Sequence, residues 1–221
     1  LAKAGVRVRL VDRFTFPRNK LCGDTLNPGC MAMLSRIDDC VASRVRAHAL
    51  PITGMTVTGP GGATVSADYP GGFSGAALTR SDLDHWLLEY AIAAGAGFEA
   101  GVTVNAPMLS ERSRHVAGVR VSCRGREYEL GAKLVVAADG RASRLARTMQ
   151  LSRFARSPQR WAHGAYFTDV DGLTAHGEMH IRQDGYVGVA PLPGGVANVC
   201  VVRSRPNLTH RESAESVVAR G

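Results

Sequence analysis

Long apolar runs are missing from this chain of 221 residues. Its apolar stretches are broken by Gly, Arg or Asp well before the roughly 18–20 residues that a bilayer-spanning helix needs, which excludes a transmembrane anchor within it. No initiator Met and no signal-peptide pattern open the chain, so Leu1-Ala2-Lys3-Ala4-Gly5 reads as the interior of a longer protein. Cysteine is scarce and scattered. The five thiols (Cys22, Cys30, Cys40, Cys123, Cys200) are odd in number and lack zinc or redox spacing. Neither a disulfide framework nor a metal site is expected, and a reducing cytoplasm is the expected compartment. Aromatics make up only 6% of the chain and do not interleave with basic runs. The net charge of +8, from 27 Lys and Arg against 19 Asp and Glu, is carried singly or in short groups such as Arg141, Arg144, Arg147, Arg153 and Arg156. That scatter argues against a nucleic-acid partner and suits a phosphate-rich cofactor and an anionic substrate.

What is present is an ordinary globular composition, 45% hydrophobic and 21% charged, enough for a sizeable core. Leu1 to Gly5 reads as the last turn of a helix with its glycine stop, and Val6 to Asp12 as a strand that turns apolar before an acid. Together they are the tail of a βαβ unit, without the first strand and glycine turn that should precede it. Asn27-Pro28 is a helix start leading into Met31, Leu34 and Ile37. Residues 52–58 and 63–68 read as strands around Gly59-Pro60-Gly61-Gly62. Ser81-x-x-Asp84 is expected to form a capping box, with Asp84 capping its own helix, whose apolar face carries Leu83, Leu87, Leu88, Ala91 and Ile92. Strands are expected at 101–105, 115–123 and 127–130, then a buried parallel strand Leu134–Ala138 ending at Asp139-Gly140. Residues 160–202 are mostly strand, and Thr209-x-x-Glu212 would cap a last helix.

Chemistry concentrates at a few of these places. Asp12 ends a strand that follows a helix, where a Rossmann unit puts the acid that accepts from ribose hydroxyls; a plain loop start is the other reading. Phe16-Pro17-Arg18-Asn19-Lys20-Leu21-Cys22-Gly23-Asp24 joins cations to a glycine, so that backbone approaches a phosphate-bearing ligand closely. Asp139-Gly140 is a strand-turn-helix of the kind laid against a dinucleotide. Ser143 has no His and acid to make it a nucleophile. His176 and His180 are expected in a β context without a metal.

The run from Phe16 to Pro28 resembles the Phe-Pro-Arg-x-Lys-x-Cys-Gly-(Asp or Gly)-x-Leu-x-Pro segment of the geranylgeranyl reductase-like branch of the FAD-dependent monooxygenase superfamily, related in fold to para-hydroxybenzoate hydroxylase. Arg80 to Asp84 is similar to that family's Arg-x-x-Leu-Asp, and Leu134 to Arg147 to its Asp-Gly motif, with Ala146 moving the final Arg one place late. A looser segment, Gly185 to Val199, keeps Tyr186 and Pro191 but has Gly188 and Ala190 where geranylgeranyl reductases carry large aromatics, which weakens a long prenyl substrate. It also departs from the Trp-x-Trp-x-Ile-Pro of flavin halogenases.

The resemblance implies an α/β (α+β overall) fold: a Rossmann-like FAD-binding domain of residues 1–44 and 76–158, a β-rich substrate domain of 45–75 and 159–208, and the start of a C-terminal segment at 209–221. It implies FAD as cofactor and NAD(P)H as electron donor, with Asp12, Arg13, Arg18, Lys20, Cys22, Gly23, Asp24, Arg80, Val104, Asp139 and Gly140 binding the cofactor. Cys22 and Tyr186 are the candidate catalytic residues, a small packed thiol and an ordinary hairpin being the other readings. The expected activity is a flavin-dependent oxidoreductase acting on a small or lipid-like molecule, by alkene reduction or hydroxylation. Because no Gly-x-Gly-x-x-Gly and no later Gly-Asp motif are present, a non-catalytic binding remnant is the alternative. Peripheral membrane contact, oligomeric state and substrate stay open.

Overall fold

The computed structural model describes residues 1–20, 22–110, 115–153 and 160–204. After a short 3-10 turn, Ala2–Ala4, the elements run in chain order as β1 (Arg9–Asp12), β2 (Thr25–Leu26), α1 (Pro28–Ile37), α2 (Asp39–His48), β3 (Leu50–Ile52), β4 (Gly54–Thr58), β5 (Thr64–Asp68) and β6 (Gly75–Ala77). They continue as α3 (Arg80–Ala93), β7 (Gly97–Ala100), β8 (Thr103–Leu109), β9 (Val116–Cys123), β10 (Arg126–Gly131), α4 (Arg144–Thr148), β11 (Trp161–Phe167), β12 (His176–Arg182), β13 (Gly185–Leu192) and β14 (Val196–Arg203). No described helix is long and apolar enough to cross a membrane. The expected cap at Thr209 and Glu212 lies outside the described residues. The chain divides into two compact units, residues 1–18 with 88–157 and residues 19–87 with 158–221; each is taken by itself.

In the first unit β1 and β7 run parallel, from Arg9 opposite Gly97 to Asp12 opposite Ala100, and Arg9 pairs with Glu99 across them. Parallel pairing puts Asp12 at the carboxyl end of its strand, the end where α/β sheets collect ligands. The antiparallel meander β10-β9-β8 follows. Its inward residues Val119 and Val121 join Val102 and Leu145 in one core cluster. The Leu134–Ala138 segment departs from expectation. It is not a ladder strand, and Leu134 and Val136 are 75% and 66% exposed. An apolar run of this kind is buried only between two partner strands, and among the described residues none pairs with it.

In the second unit β11-β14-β13-β12-β4-β5 form a six-stranded sheet, antiparallel except for β12 against β4. Alternation sends Val187 and Val201 to one cluster, while Ile52, Ala77 and Leu192 build another with the small sheet β2-β6-β3. As expected, α1 opens at Asn27, whose side chain accepts from Cys30 N at 2.8 Å. The second helix, α2, was not legible in advance, because only Val41, Ala42 and Val45 make its buried stripe; Asp38 caps it by accepting from Cys40 N at 2.8 Å.

The start of α3 corrects the expected capping box. Thr79 is the cap residue: its Oγ1 accepts from Asp82 N at 3.1 Å and donates to Asp82 Oδ2 at 2.7 Å. The box therefore sits two residues earlier than Ser81-x-x-Asp84, and Asp84 faces Arg80 instead of a backbone N–H. Both spellings satisfy the Ser/Thr-x-x-acid rule, and the charge on Arg80 decides between them.

Candidate functional site

Within the second unit the loop after Asn19 and the start of α3 converge on Asp24. This carboxylate is 1% exposed and sits at φ 53, in the left-handed region that a residue other than glycine seldom occupies. Every oxygen it offers is taken. Oδ1 accepts from the Arg80 backbone N–H at 3.0 Å, and Oδ2 from the Tyr166 hydroxyl at 2.7 Å and from Asn198 Nδ2 at 2.6 Å. Its own carbonyl accepts from Leu78 N at 3.0 Å. A buried carboxylate is tolerated only with such a full set of donors. Burial first, and then the bond to Asp24, push the Tyr166 hydroxyl far above the usual tyrosine range, so it stays a neutral donor.

Arg80 links this cluster to Cys22. Its Nε and Nη2 donate to Asp84 Oδ1 at 3.0 and 2.6 Å, and its Nη1 approaches Cys22 Sγ at 3.5 Å. Burial works against its charge, yet the Asp84 carboxylate and the Cys22 sulfur hold its pKa above the ordinary guanidinium value. Cys200, half-buried on β14, has a thiol pushed up by burial and by the nearby Cys22.

Two cavities adjoin Tyr166. The larger, about 530 Å³, has apolar walls from Leu78, Trp86, Leu192, Pro193 and Val196, with His48 and Asn19 among its polar groups. Its size suits a small organic molecule. The smaller, about 270 Å³, is lined by Asn19, Lys20, Cys22, Gly164, Ala165 and Asn198 as well as Tyr166. Trp86 packs against two side chains: the Arg44 guanidinium lies 4.8 Å over its ring and the His48 ring meets it edge-on at 5.1 Å.

The first unit holds the other expected residues. Asp12 Oδ1 accepts from Phe14 N at 2.9 Å, closing a turn, while Arg18 Nη2 stands 4.0 Å from Asp12 Oδ2. Arg13 stacks on Phe14 at 4.7 Å, and Arg18 lies over Phe14 and Phe16. Val104 pairs with Val121 beside a bulge at Asn105, whose Oδ1 accepts from Arg144 Nη1 at 3.4 Å. Asp139 Oδ2 accepts from Arg144 N at 2.9 Å, and Ser143 Oγ caps α4 at Ala146 N. Burial tends to raise the Asp139 pKa, but the bonds from Ser143 and Arg144 prevail and hold it below 3.8.

The donor set fits an anionic dinucleotide. Arg18 Nε is buried without a hydrogen-bond partner, a cationic donor that a phosphate oxygen would satisfy. Gly140, at φ 79, has open space where a Cβ would stand, so its backbone is bare to a flat or phosphate-bearing ligand.

Cys22, Gly23, Asp24 and Arg80 thus meet in one unit, with Lys20 on its smaller cavity, whereas Asp12, Arg13, Arg18, Val104, Asp139 and Gly140 lie in the other. Tyr186, on β13 opposite Ile181 and Val202, lines neither cavity. Sequence reasoning missed Tyr166 and Asn198. A lone polar residue in a run such as Val196-Ala197-Asn198-Val199 was the available signal for one of them. His176 and His180 lie on β12 as expected, bonded to Asp68 and Glu178, and the described residues hold no cluster of three or more metal-ligating side chains.

Comparison with known proteins gives relatives over most of this chain. It is 29% identical over 213 residues to the menaquinone reductase of Mycobacterium tuberculosis, a match covering 90% of this chain and 50% of that one. It is 29% identical over 185 residues to the digeranylgeranylglycerophospholipid reductase of Methanosarcina mazei, covering 80% of this chain and 44% of the relative. The chain thus spans about half the length of the curated relatives it matches. Its fold is similar to that of a geranylgeranyl bacteriochlorophyll reductase-like protein from Thermoplasma acidophilum, with a TM-score of 0.82 at 22% identity over 99% of this chain and 56% of that one. The model of the FAD binding domain family matches residues 1–217, and the chain belongs to that family.

Proposed function

We propose that the chain is the cofactor- and substrate-binding part of an FAD-dependent oxidoreductase of the reductase branch, acting on a small or lipid-like organic molecule. The observation that carries the reading is the family match over residues 1–217, joined to relatives named as reductases of menaquinone and of digeranylgeranylglycerophospholipid. In this reading residues 1–44 and 76–158 form the FAD-binding domain, of which Leu78 and Trp86 also line the substrate cavity, residues 45–75 and 159–208 form the substrate domain, and 209–221 begins a C-terminal segment.

When bound, FAD supplies hydride-transfer chemistry, with NAD(P)H as the donor. The chain's own residues bind and orient. Asp12 offers carboxylate oxygens to ribose hydroxyls, Val104 its backbone to the adenine edge, and Arg13, Arg18, Lys20 and Arg80 their charge to phosphates. Asp139 and Gly140 present a tight turn with bare backbone, and Gly23, where an added Cβ would meet the Thr25 hydroxyl at 3.9 Å, lends its small size beside Cys22. Asp24 contributes indirectly, since its carboxylate is filled by protein donors and fixes the loop around Gly23. Cys22, on the smaller cavity and against Arg80, is the proposed proton-transfer or redox group; Tyr186 has no role in this reading. The larger cavity takes the substrate between Trp86 and Leu192, whose apolar surfaces suit a hydrophobic molecule.

The test is made on the full-length protein. It should purify with, or take up, FAD and then consume NAD(P)H in the presence of a prenylated quinone. A protein that stays colourless with added FAD would be the non-catalytic remnant instead.

A further inference from the structure

We infer that Asn198 is a positioning residue for the Cys22-Gly23-Asp24 segment, acting from the sheet through both hydrogens of one amide nitrogen. Its Nδ2 donates to the Cys22 carbonyl at 2.7 Å and to Asp24 Oδ2 at 2.6 Å. Both partners are acceptors, so the amide can stand only one way round; the flipped amide would set oxygen against oxygen. The choice of residue follows. Among side chains of this size only a primary amide carries two N–H donors on one neutral atom, and an aspartate here would meet the Asp24 carboxylate with a second charge.

The sheet register builds the clamp. Tyr166 on β11 lies directly opposite Asn198 on β14, so their side chains share one face and converge on the same oxygen of Asp24. On the other side Asn198 is opposite Ala190, a small residue where a bulky one would crowd the amide. Asn198 is 4% exposed, and its Oδ1 is buried with no hydrogen-bond partner. A buried acceptor left unmet is a cost, and what offsets it is the donor end. Through these bonds the sheet holds the Cys22 carbonyl on one side of Gly23 and the Asp24 carboxylate on the other, which keeps Cys22 Sγ at the Arg80 guanidinium and on the smaller cavity. That the held segment borders the cofactor rests on the function proposed above; the clamp itself does not.

The experiment uses the full-length protein and two readouts. The first is the rate of iodoacetamide alkylation at Cys22, followed by peptide mass spectrometry without added FAD, with Cys123 in the other unit as internal reference. Asn198→Ala and Asn198→Asp should raise the Cys22 rate by about fivefold or more, the factor carried by one net hydrogen bond of ordinary strength. Cys123 should not change. Tyr166→Phe removes the other donor on Asp24 Oδ2 and should raise the rate by a smaller factor; it serves if the Asn198 variants do not fold. Val201→Ala, a cavity in the core of the same strand, is the control for general loosening and should leave the Cys22 rate as it is. The second readout is the visible band shape of bound flavin, expected to shift in the Asn198 variants and not in Val201→Ala. Rates and spectra equal to wild type in the Asn198 variants, or moved equally by Val201→Ala, overturn the positioning role. A wild-type protein that takes up no FAD overturns the oxidoreductase reading alone, because the alkylation arm still decides on Asn198.

Discussion

Arg80 and Asp84 stand one helical turn apart on α3 and meet twice on a single oxygen, with Arg80 Nη2 and Nε at 2.6 and 3.0 Å from Asp84 Oδ1. The pair is partly buried, with side-chain exposures of 24% and 12%. An exposed i,i+4 pair contributes a few tenths of a kcal/mol. Enclosure and double contact should raise the coupling to about 1–2 kcal/mol, with the surrounding water still screening part of the charge. A double-mutant cycle of Arg80→Ala and Asp84→Ala in urea unfolding measures it, and a coupling near zero would mean the pair is ornamental.

Thr79, not Ser81, carries the cap of the same helix. Thr79→Ala should cost about 1 kcal/mol, while Ser81→Ala should cost little, because only Thr79 accepts from Asp82 N. Urea midpoints for the two variants decide it, and equal losses would restore the box suggested by Ser81-x-x-Asp84.

Tyr166 makes stability fall in alkali. Burial and the Asp24 carboxylate raise its pKa in the native state from the ordinary value of 10.0, so the native chain keeps a proton that the unfolded chain gives up. The contribution is whole below pH 10 and declines as pH rises beyond it, since the unfolded state then binds fewer protons. Unfolding free energies should drop more steeply between about pH 9 and 11 in the wild type than in Tyr166→Phe. Parallel pH curves for the two would contradict the raised pKa.

Gly54 lies between two side chains that meet above it. On β4 it is opposite His176 of β12 on one side and Asp68 of β5 on the other, and His176 Nε2 reaches Asp68 Oδ1 at 2.8 Å. A Cβ at Gly54 would stand 2.8 Å from that ring nitrogen and 2.9 Å from Asp68 Cα, and would strike the Ala67 carbonyl. Gly54→Ala should therefore cost about 1–3 kcal/mol as an overpacking change. Removing the ring as well, in Gly54→Ala with His176→Ala, should not restore stability, because the backbone clash remains. Full recovery in a thermal melt would locate the constraint in the imidazole alone.

What was legible in the sequence was local. Asn27-Pro28 announced α1, the alternating runs after residue 160 announced β11 to β14, and the order of the Cys22, Arg80 and Asp139 segments announced the family. What was hidden depends on partners far along the chain. Tyr166 and Asn198 reach Asp24 across 142 and 174 residues, and no spacing rule joins them. The Leu134–Ala138 run has the composition of a buried strand, yet burial depends on a neighbouring strand that its own residues do not encode. The cap of α3 is ambiguous in the sequence for a smaller reason: two overlapping boxes compete, and the Arg80 charge claims Asp84.

Asp139 gives the acid side of the pH profile. Its carboxylate is largely exposed, and burial alone would raise its pKa slightly, but bonds from the Ser143 side chain and the Arg144 backbone hold the native value below 3.8. A depressed native pKa stabilises above the unfolded value and loses that contribution as pH falls through the native one. The wild type should therefore lose stability below about pH 4 more steeply than Asp139→Asn, which keeps the shape and one acceptor but cannot titrate. The difference should be small, because solvent screens an exposed group. Gly140→Ala separates the turn from the charge. At φ 79 an added Cβ meets no neighbouring atom but the backbone is strained, so stability should fall by about 1 kcal/mol at every pH. If Asp139→Asn instead shifts the whole curve as Gly140→Ala does, the carboxylate acts through turn geometry and its charge is incidental.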